Sequence, residues 1–231
     1  MPLFKTDKSL VPVFGESSSC KRLLLTNLAG DGVTTYTSGA GSAVSRGPFR
    51  QRTNSGTDAA GHAGIRMRDI FCDFMPPGND LLAVNFGYNF TIAVQFKSLN
   101  STRNGPSRFY LGGTTSYTVG DNTRKCIGFR VLDETIYAAF HDGTTYSEPA
   151  STSANLVNTT TITNTTIHIE NLGNGTVIWY ANGVQFASTT SGPTGITSNT
   201  EGTILLSGAS GGVGLTNAYL DVGYIYLQSN Q

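Results

Sequence analysis

The chain has 231 residues, with acids and bases balanced at 15 each and only 13% charged residues. That length suits one large β-sandwich or at most two small domains, and a neutral chain is a poor partner for nucleic acid. No apolar run approaches the ~18 residues of a membrane span, and the N-terminal Met-Pro-Leu-Phe-Lys-Thr-Asp-Lys lacks a signal peptide's apolar stretch, so a soluble chain with no membrane partner is expected.

Residues 1–20 contain Pro2, Pro12 and Gly15, which predicts an extended N-terminal arm. An arm of this kind is ordered only when it docks on something. A first buried strand follows over Arg22–Leu28, then a turn at Gly30-Asp31-Gly32 and a second run over Val33–Thr37. From about 38 to 64 Gly, Ser, Ala and Arg mix without a period, so a long irregular insertion is expected inside a single domain spanning 21–231. Arg46, Arg50, Arg52, Arg66 and Arg68 fall in or beside it, and without interleaved aromatics they read as a solvated or subunit-bridging loop.

The strand signal returns over Ile65–Phe74, with a change of parity at Arg68-Asp69, and Met75-Pro76-Pro77-Gly78 ends it. Asn89–Lys97 alternates cleanly: Phe90, Ile92, Val94 and Phe96 face inward. Further strands are predicted over Arg108–Leu111, Lys125–Leu132 and Thr135–His141, with stripes Ile127, Phe129, Val131 and Ile136, Ala138, Phe140. Asp142-Gly143 makes the next turn, and Thr144–Leu156 reads as a polar strand and loop. Thr165–Ser188 carries three β-rich runs separated by Asn174-Gly175 and Asn182-Gly183, the pairs that supply the positive φ of tight hairpin turns. Ile167 and Ile169 point to the core there, and His168 and Glu170 to solvent or a groove. Trp179 is assigned to the core. The closing strands are Gly202–Ser207 and Ala218–Leu227, joined by a glycine-rich turn.

The residues Asn-Gly-Thr-Val-Ile-Trp-Tyr-Ala-Asn-Gly-Val-Gln-Phe, with Ala-Tyr-Leu-Asp-Val-Gly-Tyr-Ile-Tyr-Leu at the C-terminus, resemble the end of the concanavalin A-like lectin/glucanase jelly rolls. The resemblance runs from about Phe90 to Leu227 and is nearest to versions in phage and other virion structural proteins. It implies an all-β, two-sheet antiparallel β-sandwich in which the last strand returns beside the N-terminal strands. It also implies a virion setting, as a capsid decoration or a tail or fibre component, assembled as a homo-oligomer (a trimer among the options) with other virion proteins.

Chemistry is sparse in this pattern. A retaining glycanase needs two carboxylates ~5 Å apart, and no Glu-x-Asp-x-x-Glu run occurs; Glu134, Glu148, Glu170 and Glu201 stand isolated. His62, His141 and His168 lack a nucleophile elbow, no loop clusters the oxygen ligands of a calcium site, and no cofactor or metal is expected. Cys20, Cys72 and Cys126 are either buried free thiols or one disulfide plus one thiol. The expectation is therefore a non-enzymatic protein. The alternative to a purely structural role is a lectin module for surface glycans, with Tyr117, His141, Asp142, Tyr146 and Tyr180 as the candidate glycan-binding residues.

Overall fold

The computed structural model describes residues 20–25, 33–38, 43–47, 50–54, 62–67, 84–98, 107–112, 125–132, 135–153, 165–195, 204–209 and 219–230. Every regular element among them is a strand. They are β1 (Cys20–Leu25), β2 (Val33–Ser38), β3 (Ala43–Gly47), β4 (Arg50–Asn54), β5 (His62–Met67), β6 (Asn89–Ser98), β7 (Ser107–Gly112) and β8 (Cys126–Leu132). The second half adds β9 (Thr135–His141), β10 (Tyr146–Ser147), β11 (Ser151–Ser153), β12 (Thr165–Leu172), β13 (Val177–Ala181), β14 (Val184–Thr189), β15 (Ile204–Ala209) and β16 (Tyr219–Asn230). None of the described residues forms a helix that could cross a membrane.

Two antiparallel sheets result. The first runs β14-β13-β12-β6-β16-β4-β3, and β1 pairs with the part of β16 that β4 leaves open. The second runs β10-β9-β8-β7-β15-β5-β2, with β11 beside β10 on the same edge of β9. This is the two-sheet antiparallel sandwich that the resemblance implies, with its last strand beside N-terminal strands. The sequence N-terminal to Cys20, where the arm is expected, lies outside the described residues.

One expectation needs correction: the stretch from 38 to 64 is not wholly irregular. It contributes β3 and β4, an antiparallel pair at the edge of the first sheet, and the start of β5. These strands are held by backbone pairing, which any residue except proline can make, so no apolar period marks them. The parity change expected at Arg68-Asp69 lies outside the described residues, as does Cys72 and the side chain of Cys20. Cys126 is buried and forms no disulfide.

Between the sheets the predicted stripes meet. Phe90, Ile92, Val94 and Phe96 of β6 and Ile167 and Ile169 of β12 face Phe109, Phe129, Val131, Ile136 and Phe140 of the second sheet. Phe129 stacks on its cross-strand neighbour Phe109 at 5.5 Å and, across the sandwich, on Phe96 at 4.9 Å. Trp179 is fully buried near Phe140, and its Nε1 donates across the core to the Gly128 carbonyl at 2.8 Å. A buried indole N–H needs such an acceptor, so this bond sets the relative position of β13 and β8.

Two local devices keep the inward stripes in register. Asn182 and Gly183 both take positive φ, 47° and 85°, and the Asn182 side-chain oxygen accepts from the Thr166 N–H at 2.9 Å, as an Asn-Gly hairpin turn requires. In β16 the pairing with β6 slips between Val222 and Tyr224. That bulge at Gly223 lets Val222, Ile225 and Leu227 all reach the core, while Tyr224 and Tyr226 face outward.

Candidate functional site

Alternation that turns Phe109, Phe129 and Ile136 inward turns Arg108, Tyr110, Arg130, Tyr137 and His141 onto the outer face of the second sheet. The ladder pairs Arg108 with Arg130 and Arg130 with Tyr137, so these three lie in one row across β7, β8 and β9. The next row holds Tyr110, Gly128 and Ala139, and the one beyond it Gly112, Cys126, His141 and Tyr146. Small residues at Gly128 and Ala139 leave room for Tyr110 and Tyr146 to lean together over Ala139 and Cys126. Gly128 is required: a Cβ there would stand 1.9 Å from the Phe109 carbonyl oxygen and 2.8 Å from the Tyr110 ring.

A directional hydrogen-bond chain crosses this face. Arg130 grips Glu148 in a bidentate ion pair, Nε to Oε1 at 2.6 Å and a terminal nitrogen to Oε2 at 2.7 Å. Tyr146 donates its hydroxyl proton to the same Oε1 at 2.6 Å. The contact between the Tyr110 and Tyr146 hydroxyls, 3.2 Å, must then have Tyr110 as donor, because Tyr146 has one proton and the carboxylate takes it. On its other side the Arg130 guanidinium lies 4.1 Å from the centroid of the Tyr137 ring.

The electrostatics follow from this geometry. Burial would raise the Glu148 carboxyl, but the hydrogen bonds from Arg130 and Tyr146, with the charges of Arg130 and Arg108, outweigh it and hold it below its usual value. Burial tends to lower Arg130, yet Glu148 reverses that and raises it. Tyr110 is pushed up to about 12 by burial, and Tyr146 is raised by burial and by its two partners. Both phenols therefore remain protonated donors at neutral pH. Glu148 remains an ionised acceptor.

Of the five residues the sequence nominated, three gather at this sheet. Tyr146 belongs to the chain just described. His141 is the cross-strand partner of Tyr146 in the same row, buried, and its Nδ1 accepts the Gly143 N–H at 3.0 Å, which assigns the proton to Nε2; burial lowers its pKa, with Asp142 opposing. Asp142 organises the turn: Oδ1 accepts from the Thr144 and Thr145 N–H groups at 2.6 and 2.7 Å, which lower its pKa. Tyr117 lies outside the described residues.

Tyr180 is on the first sheet, so the structure does not bring it to the others. There it stacks on His168 at 5.3 Å and donates to Glu170 at 3.1 Å, with its hydroxyl raised to about 12 by burial and Glu170. His168 points to the outer side of its sheet, as the alternation gave, where of the two expected surroundings it is not open to solvent: it is 1% exposed beneath Tyr180. Arg108, Tyr110, Arg130, Tyr137 and Glu148 went unnominated. The outward parity of the first four was readable from β7, β8 and β9, but the approach of Glu148 to Arg130 depends on how the chain returns along the edge of β9.

No family model matches the sequence, and no curated protein matches it. Solved structures do. The carbohydrate recognition domain of Emp47p superposes with a TM-score of 0.60 at 11% identity, covering 94% of this chain and 100% of that one. The β-glucanase of Bacillus licheniformis gives 0.57 at 11% identity, covering 94% and 100%, and a native glycosidic hydrolase gives 0.57 at 12%, covering 93% and 97%. The sandwich is a concanavalin A-like jelly roll. At these identities the likeness speaks for the fold, which hosts both lectin domains and glycanases. These neighbours give the virion side of the resemblance no support.

Proposed function

We propose that this concanavalin A-like jelly roll is a non-enzymatic, lectin-like carbohydrate-binding module, with its binding face on the outside of the second sheet. The observation that carries the reading is the chain Tyr110–Tyr146–Glu148–Arg130 over Tyr137: a fixed polar network ending on an ionised carboxylate, beside the half-buried rings of Tyr137 and Tyr146. Sugars present alternating hydroxyls and apolar ring faces, and such a surface complements both. Among the described residues of this face, Glu148 is the one carboxylate within the network, and both its oxygens are engaged. Hydrolysis by either stereochemical route needs a second carboxyl group opposite the first.

A glycan array with wild type, Tyr137→Ala and Tyr180→Ala tests the assignment. Tyr137→Ala should lower binding by about tenfold, the scale of losing one well-packed aromatic anchor, and Tyr180→Ala should bind as wild type does. Absence of binding to any glycan would remove the reading.

The assembly setting expected from the sequence, a homo-oligomer displayed on a virion and fixed by residues 1–20, remains part of the proposal on the strength of composition and resemblance. Light scattering with and without residues 1–20 tests it; a monomer unaffected by the truncation would count against it.

A further inference from the structure

Among the described residues around the Tyr110–Tyr146–Glu148 chain, two guanidiniums stand beside one carboxylate. Arg108 and Arg130 are direct cross-strand neighbours on the binding face, an arrangement in which like charges oppose one another. Arg130 is compensated by Glu148, whose two oxygens already accept from Arg130 and Tyr146. Arg108 is not. It is 2% exposed, and neither terminal guanidinium nitrogen has a hydrogen-bond acceptor among the described residues. Arginine cannot shed its charge to relieve such burial, so the two terminal nitrogens stand buried and without a hydrogen-bond acceptor beside the Tyr110–Tyr146–Glu148 chain.

We infer that Arg108 is the seat for an anionic group on the glycan, a carboxylate as in a uronic acid or a sulfate ester, making this face specific for acidic rather than neutral saccharides. The inference rests on the carbohydrate reading above. A planar carboxylate or a tetrahedral sulfate can take both terminal nitrogens at once, and shielding from water strengthens that bond. It would also separate the charges of Arg108 and Arg130, as Glu148 does from the other side. Because the guanidinium has no solvent contact, side chains of this face must move to admit the ligand.

Calorimetric titration of the full chain tests this with three probes of equal length: uronate tetrasaccharides, their carboxyl-reduced neutral counterparts, and a sulfated tetrasaccharide. Wild type should bind an acidic probe at least about tenfold more tightly than the neutral one, the scale of a hydrogen-bonded charge pair. Arg108→Gln should lose that preference, binding acidic and neutral probes alike, with Arg108→Lys falling between because it keeps charge without the fork. The uronate and sulfate arms decide which anion is the natural one. Thermal melting confirms that each variant is folded, and if Arg108→Gln is not, Arg108→Lys carries the test. Equal affinity for acidic and neutral probes, or an acidic preference unchanged in both variants, overturns the inference and leaves the carbohydrate reading in place; no binding to any probe overturns both.

Discussion

The two outer faces of the sandwich look alike in composition and differ in chemistry. On the first sheet Tyr224, Tyr226, His168, Gln228 and Tyr180 form a covered layer: Tyr226 is fully buried, its hydroxyl donates to Gln228 at 3.0 Å, and burial raises the Tyr224 hydroxyl. The second sheet places two guanidiniums and a carboxylate among its tyrosines. On the first face Tyr180 donates to Glu170 above a packed layer, whereas on the second Tyr146 and Arg130 converge on Glu148. Counting aromatic residues would not separate the two faces; what marks the second is the bidentate guanidinium that joins Tyr146 on Glu148.

Paired glycine substitutions should break this comparison most severely. Gly128→Ala drives a Cβ into the Phe109 backbone and should cost about 3 kcal/mol in chemical denaturation, at the upper end of overpacking effects, because two strands must part. Gly223→Ala, behind the first face, meets only the end of the Gln95 side chain at 3.0 Å and should cost less than about 1 kcal/mol. Equal losses would mean that the second face is no more tightly built than the first.

Removing the carboxylates comes next. Glu148→Ala leaves Arg130, 14% exposed at its side chain, without its bidentate partner and should cost about 2 kcal/mol. Glu170→Ala on the first face removes the acceptor of Tyr180 and should cost about 1 kcal/mol.

The pH dependence sharpens the contrast further. Glu148 has its folded pKa depressed, so its contribution is fully present above the ordinary value of 4.5 and is lost as pH falls through the folded one. His141 is also depressed, by burial that favours the neutral ring; its contribution is present above 6.5 and fades as pH falls, because the unfolded chain takes up the proton first. Melting temperature should therefore decline in two stages on acidification. Glu148→Gln should flatten the lower stage and His141→Asn the upper. Smallest of all, Tyr180→Phe removes one half-buried bond and should shift stability by less than about 1 kcal/mol with no change in glycan binding.

Much of the fold was legible before any coordinates. The alternation in β6, β8 and β9 and the Asn182-Gly183 turn depend on neighbours in sequence, and each is borne out by the core stripes and by the positive φ at that turn. The edge pair β3–β4 was not legible, since backbone pairing leaves no apolar period. Nor was the slip at Gly223, which reassigns Tyr224 and Tyr226 to the outside and depends on the match between β16 and β6.

For the candidate site the division is sharper. Local pattern determined that Arg108, Arg130 and Tyr137 project away from the core, because a strand's period of two leaves them no alternative. Only the tertiary structure decided that Arg108 and Arg130 stand side by side, that Glu148 answers one of them, and that Tyr180 belongs to the opposite face. The physical reason is that charge compensation is a matter of a few ångströms between strands distant along the chain, and sequence spacing carries no measure of that distance.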